Sequence, residues 1–167
     1  EKVERLTGQA VTHAFVGISG SHIISEMSRG VVAVSSANSE IKPEDVERVI
    51  DAAQAVSVPP NYEILHVIPR SFTVDNQRDI KDPLGMTGIR LEVEAQIIEG
   101  LSTQIKNLTR CVTRAGLEID DLVFDVLGDA EAVLSKRQKE LGVAVVNLGA
   151  ATTSYVLFEE GDIVGAG

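Results

Sequence analysis

The most regular alternation in the chain runs over 89–97. Ile89, Leu91, Val93, Ala95 and Ile97 fall on one side, and Arg90, Glu92, Glu94 and Gln96 on the other. A strict period of two predicts a strand with one buried and one wet face. A second β-rich run, 64–74, precedes it, with Leu65, Val67 and Phe72 as strand markers. Between them lies a polar, charged loop, 75–88, with turn chemistry at Asp75-Asn76, Asp82-Pro83 and Gly85.

Upstream, Val3 and Leu6 sit at helical spacing in 1–9, a helix end that Gly8 weakens. Residues 14–18 form a short apolar strand that breaks at Ser19-Gly20-Ser21-His22. Residues 22–34 are β-rich again, with a bend or bulge expected at Arg29-Gly30, and 35–39 are a polar loop. Pro43 suits a first helical position, with Glu44 and Asp45 at the positive end of the dipole and Glu47 on the exposed face. Val46, Val49, Ile50, Ala53 and Val56 then form one apolar face, ended by Val58-Pro59-Pro60. The order strand, helix, strand, strand predicts a three-stranded sheet covered on one face by a single helix. Its other face, or an open edge, would meet a partner.

Downstream, Leu101, Ile105, Leu108, Val112 and Ala115 define the best helix, closed by Gly116 in a left-handed cap. Residues 121–127 read as a buried strand, 129–134 as a short helix, and the charged stretch 136–140 as a boundary. Apolar strands at 142–148 and 154–158 flank GAATT, and Glu159-Glu160-Gly161 makes a hairpin turn. The fold class is α/β.

Composition narrows the function classes. The 167 residues suffice for one ordinary domain or two small lobes, and the 44% hydrophobic content builds an aliphatic core. Acidic residues outnumber basic ones 25 to 15, with no Lys/Arg cluster, so no nucleic acid or anionic lipid is expected as a partner of this segment. The single cysteine, Cys111, excludes an internal disulfide and fits a reducing, cytoplasmic setting. No membrane-spanning run is present. The chain opens without Met inside a predicted helix and stops just after a strand, which reads as a piece of something longer.

The one candidate for ligand chemistry is VVNLGAATTSYVLF (145–158). Small residues in a tight turn let backbone N–H groups approach phosphate, with hydroxyls to assist. An ordinary hairpin gives the same pattern. His13, His22 and His66 are scattered and lack metal-ligand spacing with Cys111, which reads as a buried small hydrophobe. The Ser19–His22 cluster has no Gly-x-Ser-x-Gly form. Glu118, Asp120 and Asp121 read as a solvated loop before a strand. Leu84 and Met86 are apolar residues inside the polar loop. They either plug it onto the sheet or anchor a partner.

The wording of that loop adds more. ILHVIP (64–69) followed by IKDPLGMTGIRLE (80–92) resembles the FtsA family of bacterial cell-division proteins. FVGISGSHI (15–23), PEDVERVIDAAQAV (43–56) and CVTRAGLEIDDLVFDVL (111–127) match as well. The resemblance implies an actin-like (ribonuclease H-like) core. Residues 1–19 and 99–140 would belong to its first lobe, 141–167 would begin the second, and 20–98 would be an inserted interaction module. It implies ATP with magnesium as cofactor of the longer protein, hydrolysed weakly or not at all, and a site incomplete within this piece. Asn147, Gly149, Ala150, Ala151, Thr152 and Thr153 would form its second phosphate turn, with Asn147 where the family has an acidic residue and alanines replacing two glycines. Expected partners are the protein itself, the tubulin-like FtsZ and later division proteins. The membrane's inner face at the division site would be reached through a C-terminal region outside these residues. An actin-like ATPase of another assembly, such as the pilus-assembly relative, and a scaffold that hydrolyses nothing are the alternatives. The inserted module speaks against a sugar kinase.

Overall fold

The computed structural model describes residues 2–36, 38–55 and 58–167. In chain order the elements are α1 (Lys2–Thr7), β1 (His13–Ile18), β2 (Ile23–Ala33), α2 (Pro43–Gln54), β3 (Tyr62–Val74), β4 (Gln77–Ile80) and β5 (Arg90–Leu101). Then come α3 (Ser102–Arg114), β6 (Glu118–Phe124), α4 (Asp125–Val133), α5 (Lys136–Leu141), β7 (Val143–Leu148), β8 (Thr153–Glu159) and β9 (Asp162–Ala166). The architecture is mixed α/β with three sheets: β1 parallel to β6, an antiparallel sheet ordered β2-β5-β3-β4, and the meander β7-β8-β9.

The second sheet has four strands where three are expected. The Asp75-Asn76 turn folds β4 back onto β3, with Asp75 at φ +53°. The Asp75 carboxylate also accepts the N–H groups of Ile89 and Arg90 at 3.0 and 2.9 Å, so part of the long loop is tied down as a hairpin. The remainder is held by Ile41, whose N–H donates to Met86 O and whose carbonyl accepts from Gly85.

β5 is central, between β2 and β3; of the face expected to be wet, Arg90 and Glu94 are exposed as expected, whereas Glu92 and Gln96 are buried. Leu91, Val93, Ala95 and Ile97 pack under α2 with Val49, Ala53, Phe72 and Val74. On the other face Glu92 lies beneath Arg29 and Arg90, and Gln96 donates to Ser25 Oγ at 2.6 Å. Ile89 does not join the buried row: it precedes the strand and is 72% exposed.

No bulge occurs at Arg29-Gly30, because β2 pairs with β5 in unbroken register. Gly30 serves close packing instead. A Cβ there would lie 2.0 Å from Val49 O and 2.7 Å from Ala53 N, so α2 rests directly on the strand backbone. Ser28 secures the same contact, donating to Ala53 O at 2.7 Å. At the helix start Asp45 is buried, not an exposed-face charge. It accepts the Lys42 N–H at 3.1 Å and pairs with Ser35 and Arg48, and these donors hold its carboxyl down at about 2. Val56, expected on the apolar face, lies outside the described residues.

A second core joins the other elements. Ile18, Ile23, Ile98, Ile105, Phe124, Val126 and Ala130 pack with Val156, Phe158 and Ala166. The strand expected at 121–127 divides at Phe124: β6 ends there and Asp125 begins α4. The expected boundary at 136–140 is α5, whose cap Ser135 accepts from Gln138 N–H. The hairpin turn appears as expected, with Glu160 and Gly161 both at positive φ. A Lys81–Asp162 ion pair joins the loop after β4 to β9.

Two stability predictions follow from this packing. Gly30→Ala has no room against backbone atoms and should cost about 2–3 kcal/mol, read as a lower urea midpoint at unchanged slope. Glu99 is fully buried, with neither carboxylate oxygen hydrogen-bonded. Burial, aided by Glu26, pushes its carboxyl above the usual 4.5. A raised carboxyl favours the fold below 4.5 and costs stability as pH rises through the folded value. Glu99→Gln should therefore stabilise the chain at pH 7 by about 1–3 kcal/mol, with the gain shrinking near pH 4. Equal effects at both pH values would contradict the assignment.

Candidate functional site

The parallel strands β1 and β6 end side by side at Ile18 and Phe124, and the next residue of each carries polar chemistry. Ser19 Oγ donates to Asp125 Oδ2 at 2.7 Å. Gly17 makes room for this pairing, since a Cβ on it would fall 2.1 Å from Asp125 Oδ1. Asp125 also opens α4, where a carboxylate complements the helix dipole.

Cavities lie on either side of Asp125. One of about 390 Å³ is lined by Gly17, Ser19, His22, Gln104, Asn107 and Cys111. The other, about 320 Å³, has Phe15, Gly17, Gly128, Asp129 and Asn147 on its walls. Asn147 Nδ2 donates to Asp129 Oδ2 at 2.6 Å across this second cavity.

The expected phosphate-turn residues do not share one cavity. Asn147 faces Asp125 and Asp129, whereas Thr152 and Thr153 line a third cavity of about 210 Å³ with Gly20, Ser21 and Phe124. Gly149, Ala150 and Ala151 form the exposed turn between them. Gly149 donates its N–H to Thr152 O at 2.9 Å, and a Cβ there would press that oxygen at 2.8 Å. The N–H groups of Ala150 and Ala151 have no protein acceptor among the described residues. Sequence reasoning missed Asp125 and Asp129. Their signal was the i, i+4 spacing on one helix face, hidden because Asp125 was read as strand.

The other candidates sort by packing. Leu84 is 48% exposed, while Met86 is half-buried against the core under α2. Cys111 is exposed, contrary to expectation: it stands one helical position off the Ile105–Leu108–Val112 stripe and faces the first cavity. Glu118, Asp120 and Asp121 lie within β6, not in a loop before it, and Asp120 Oδ2 bonds His13 Nδ1 at 2.6 Å. That bond raises the His13 pKa. His66 on β3 accepts the Phe124 N–H on Nε2 at 2.9 Å, which ties the four-stranded sheet to the end of β6. Burial lowers its pKa below the usual 6.5, with Asp121 opposing. Among the described residues no group of three or more His, Cys, Asp or Glu could hold a metal ion. No helix among them is long and apolar enough to cross a membrane.

One helix laid on a four-stranded antiparallel sheet, attached to other sheets through strand ends, defines a module of a known kind. Residues 20–99 match the family described as the SHS2 domain inserted in FtsA. Over 163 residues the chain is 40% identical to the cell division protein FtsA of Pseudomonas aeruginosa and 46% identical to that of Bacillus subtilis, covering 98% of this chain in both cases. Identity to the cell division protein FtsA of Borreliella burgdorferi is 47% over 161 residues, 96% of this chain. Residues 20–99 are thus an SHS2 domain of the FtsA kind, and nearly the whole chain is similar to FtsA cell-division proteins. It spans 39%, 37% and 39% of the length of these three relatives.

The His66 contact yields a pH prediction. A histidine whose folded pKa is depressed supports the fold above its ordinary 6.5 and withdraws that support as pH falls through the folded value. Thermal melts should show stability declining from about pH 7.5 to 5.5. His66→Gln, whose side-chain oxygen can still accept from Phe124, should flatten that decline. An unchanged slope in the variant would assign the acid sensitivity elsewhere.

Proposed function

We propose that this chain is part of an actin-like, ATP-binding cell-division protein in which 20–98 is the inserted interaction module. Residues 1–19 and 99–140 belong to the first lobe, and 141–167 begin the second. In this reading the longer protein links the FtsZ ring to the membrane and recruits later division proteins, while this part serves self-association and partner contacts. The observation that carries it is the apolar surface left on a domain whose core is otherwise closed. Met27 and Val31 are exposed on the edge strand β2, and Leu84 and Ile89 are exposed at the sheet end opposite Gly100. An open edge with apolar side chains beside it is a site for pairing with another chain.

ATP with magnesium is the proposed cofactor of the longer protein. The glycine-dependent turn at Gly149 and the free amides of Ala150 and Ala151 support it. A second reading, a scaffold that turns over no nucleotide, draws on the neutral Asn147 and on the separation of Asn147 from Thr152 and Thr153.

Sedimentation velocity across a concentration series tests the interaction role. Association should weaken about tenfold or more in Leu84→Asp, as for a buried interface anchor, with the melting temperature unchanged. Met86→Asp should instead lower the melting temperature, because its side chain packs on the core. A chain that stays monomeric at every concentration would move self-association elsewhere.

A further inference from the structure

The contact between Asn147 and Asp129 decides which face of an amide the second cavity meets. A carboxylate only accepts hydrogen bonds, so Asp129 Oδ2 at 2.6 Å must receive the NH2 group of Asn147 and never its carbonyl. The bond is charge-assisted, short and therefore strongly orienting. One of the two N–H groups of Nδ2 is used in it, and Oδ1 is left as an acceptor that no protein donor occupies among the described residues. The side chain thus behaves as a polarised carbonyl with a negative charge one bond behind it. It stands at the end of β7, two residues before Gly149, where the amide turn opens. Around it the cavity offers two carboxylates, Asp125 and Asp129, and no basic side chain. Such a lining rejects a bare anion and suits the cationic side of a phosphate ligand.

We propose that Asp129 is a positioning residue of the phosphate turn. It fixes the amide of Asn147 so that Oδ1 accepts from water carried by the divalent counter-cation of a bound nucleotide. The inference rests on the nucleotide-binding reading above. It assigns to Asp129 the negative charge that the neutral Asn147 lacks. Gly128, exposed beside Asp129, keeps the helix face open at this point.

The test is magnesium-dependent ATP binding, by titration with and without EDTA, in the protein at the length of its relatives. Asp129→Asn should weaken binding with magnesium about tenfold, the usual effect of removing a partner that orients a ligand, and leave binding in EDTA within about twofold. The exchange variant Asp129→Asn with Asn147→Asp keeps one carboxylate and one amide in contact and should restore most of the loss. It also guards against a single variant that merely folds poorly. Unchanged magnesium dependence in Asp129→Asn, with wild-type binding intact, overturns the role of Asp129 alone. Absence of ATP binding in the wild type overturns the nucleotide reading and this inference with it.

Discussion

A twelve-residue central strand with ten residues buried or half-buried faces two demands at once, and β5 meets them with different chemistry on each side. Its odd-numbered face is a continuous aliphatic row, sealed because α2 comes down onto the backbone of β2 at Gly30. On its even-numbered face two polar side chains are buried, Glu92 under two arginines and Gln96 with its NH2 on Ser25, while Gln96 Oε1 has no partner and Arg90 and Glu94 stay exposed. Beyond the aliphatic row, Glu99 is buried with neither carboxylate oxygen partnered, and there the chain carries a standing cost. The placement of α2, the four-strand order and the exposure of β2 at the edge all derive from β5 holding the centre.

The same strand also connects the SHS2 domain to the rest of the chain. β5 runs directly into α3 at Leu101–Ser102, and Gly100 allows Ile23, Leu65 and Ile105 to close around the junction. His66 reaches from β3 to the last N–H of β6, and Lys81 reaches β9. These are contacts between strand ends, short and polar except for the shared aliphatic cluster around Ile98 and Phe124. Asp125, which follows Phe124, lines the first two cavities, and Phe124 lines the third.

Much of this was legible in the sequence because periodicity reports local exposure. The buried row of β5 from Leu91 to Ile97, the α2 face at Val49 and Ala53, Ile105 and Leu108 on α3 and the turn at Glu160-Gly161 all follow from patterns within a few residues. Leu101, expected on the helix, instead ends β5, and Ala115 is exposed. What escaped depended on neighbours distant in the chain. Glu92 and Gln96 look solvated until β2 and β3 close on either side. Gly30 looks like a bend until a helix 19 residues onward lies across it, the separation of Gly30 from Val49. Asp45 looks like an ordinary helix-start charge until Ser35 folds back on it. The short β4 was hidden because a charged Gln-Arg-Asp run has no strand signature, and only pairing with β3 makes it one.

The candidate site shows the same limit more sharply. Composition of the turn at 147–153 pointed to a place where phosphate could approach, but not to which groups would face it. That depended on α4, whose Asp129 captures the amide of Asn147, and on Gly17, whose missing Cβ lets Asp125 lean over the end of β1. An asparagine read alone is a neutral, ambivalent side chain. Bonded to a carboxylate through one N–H, it has one orientation, with Oδ1 turned away from Asp129 as an acceptor. A carboxylate therefore stands beside position 147, on the neighbouring helix and within one hydrogen bond of it.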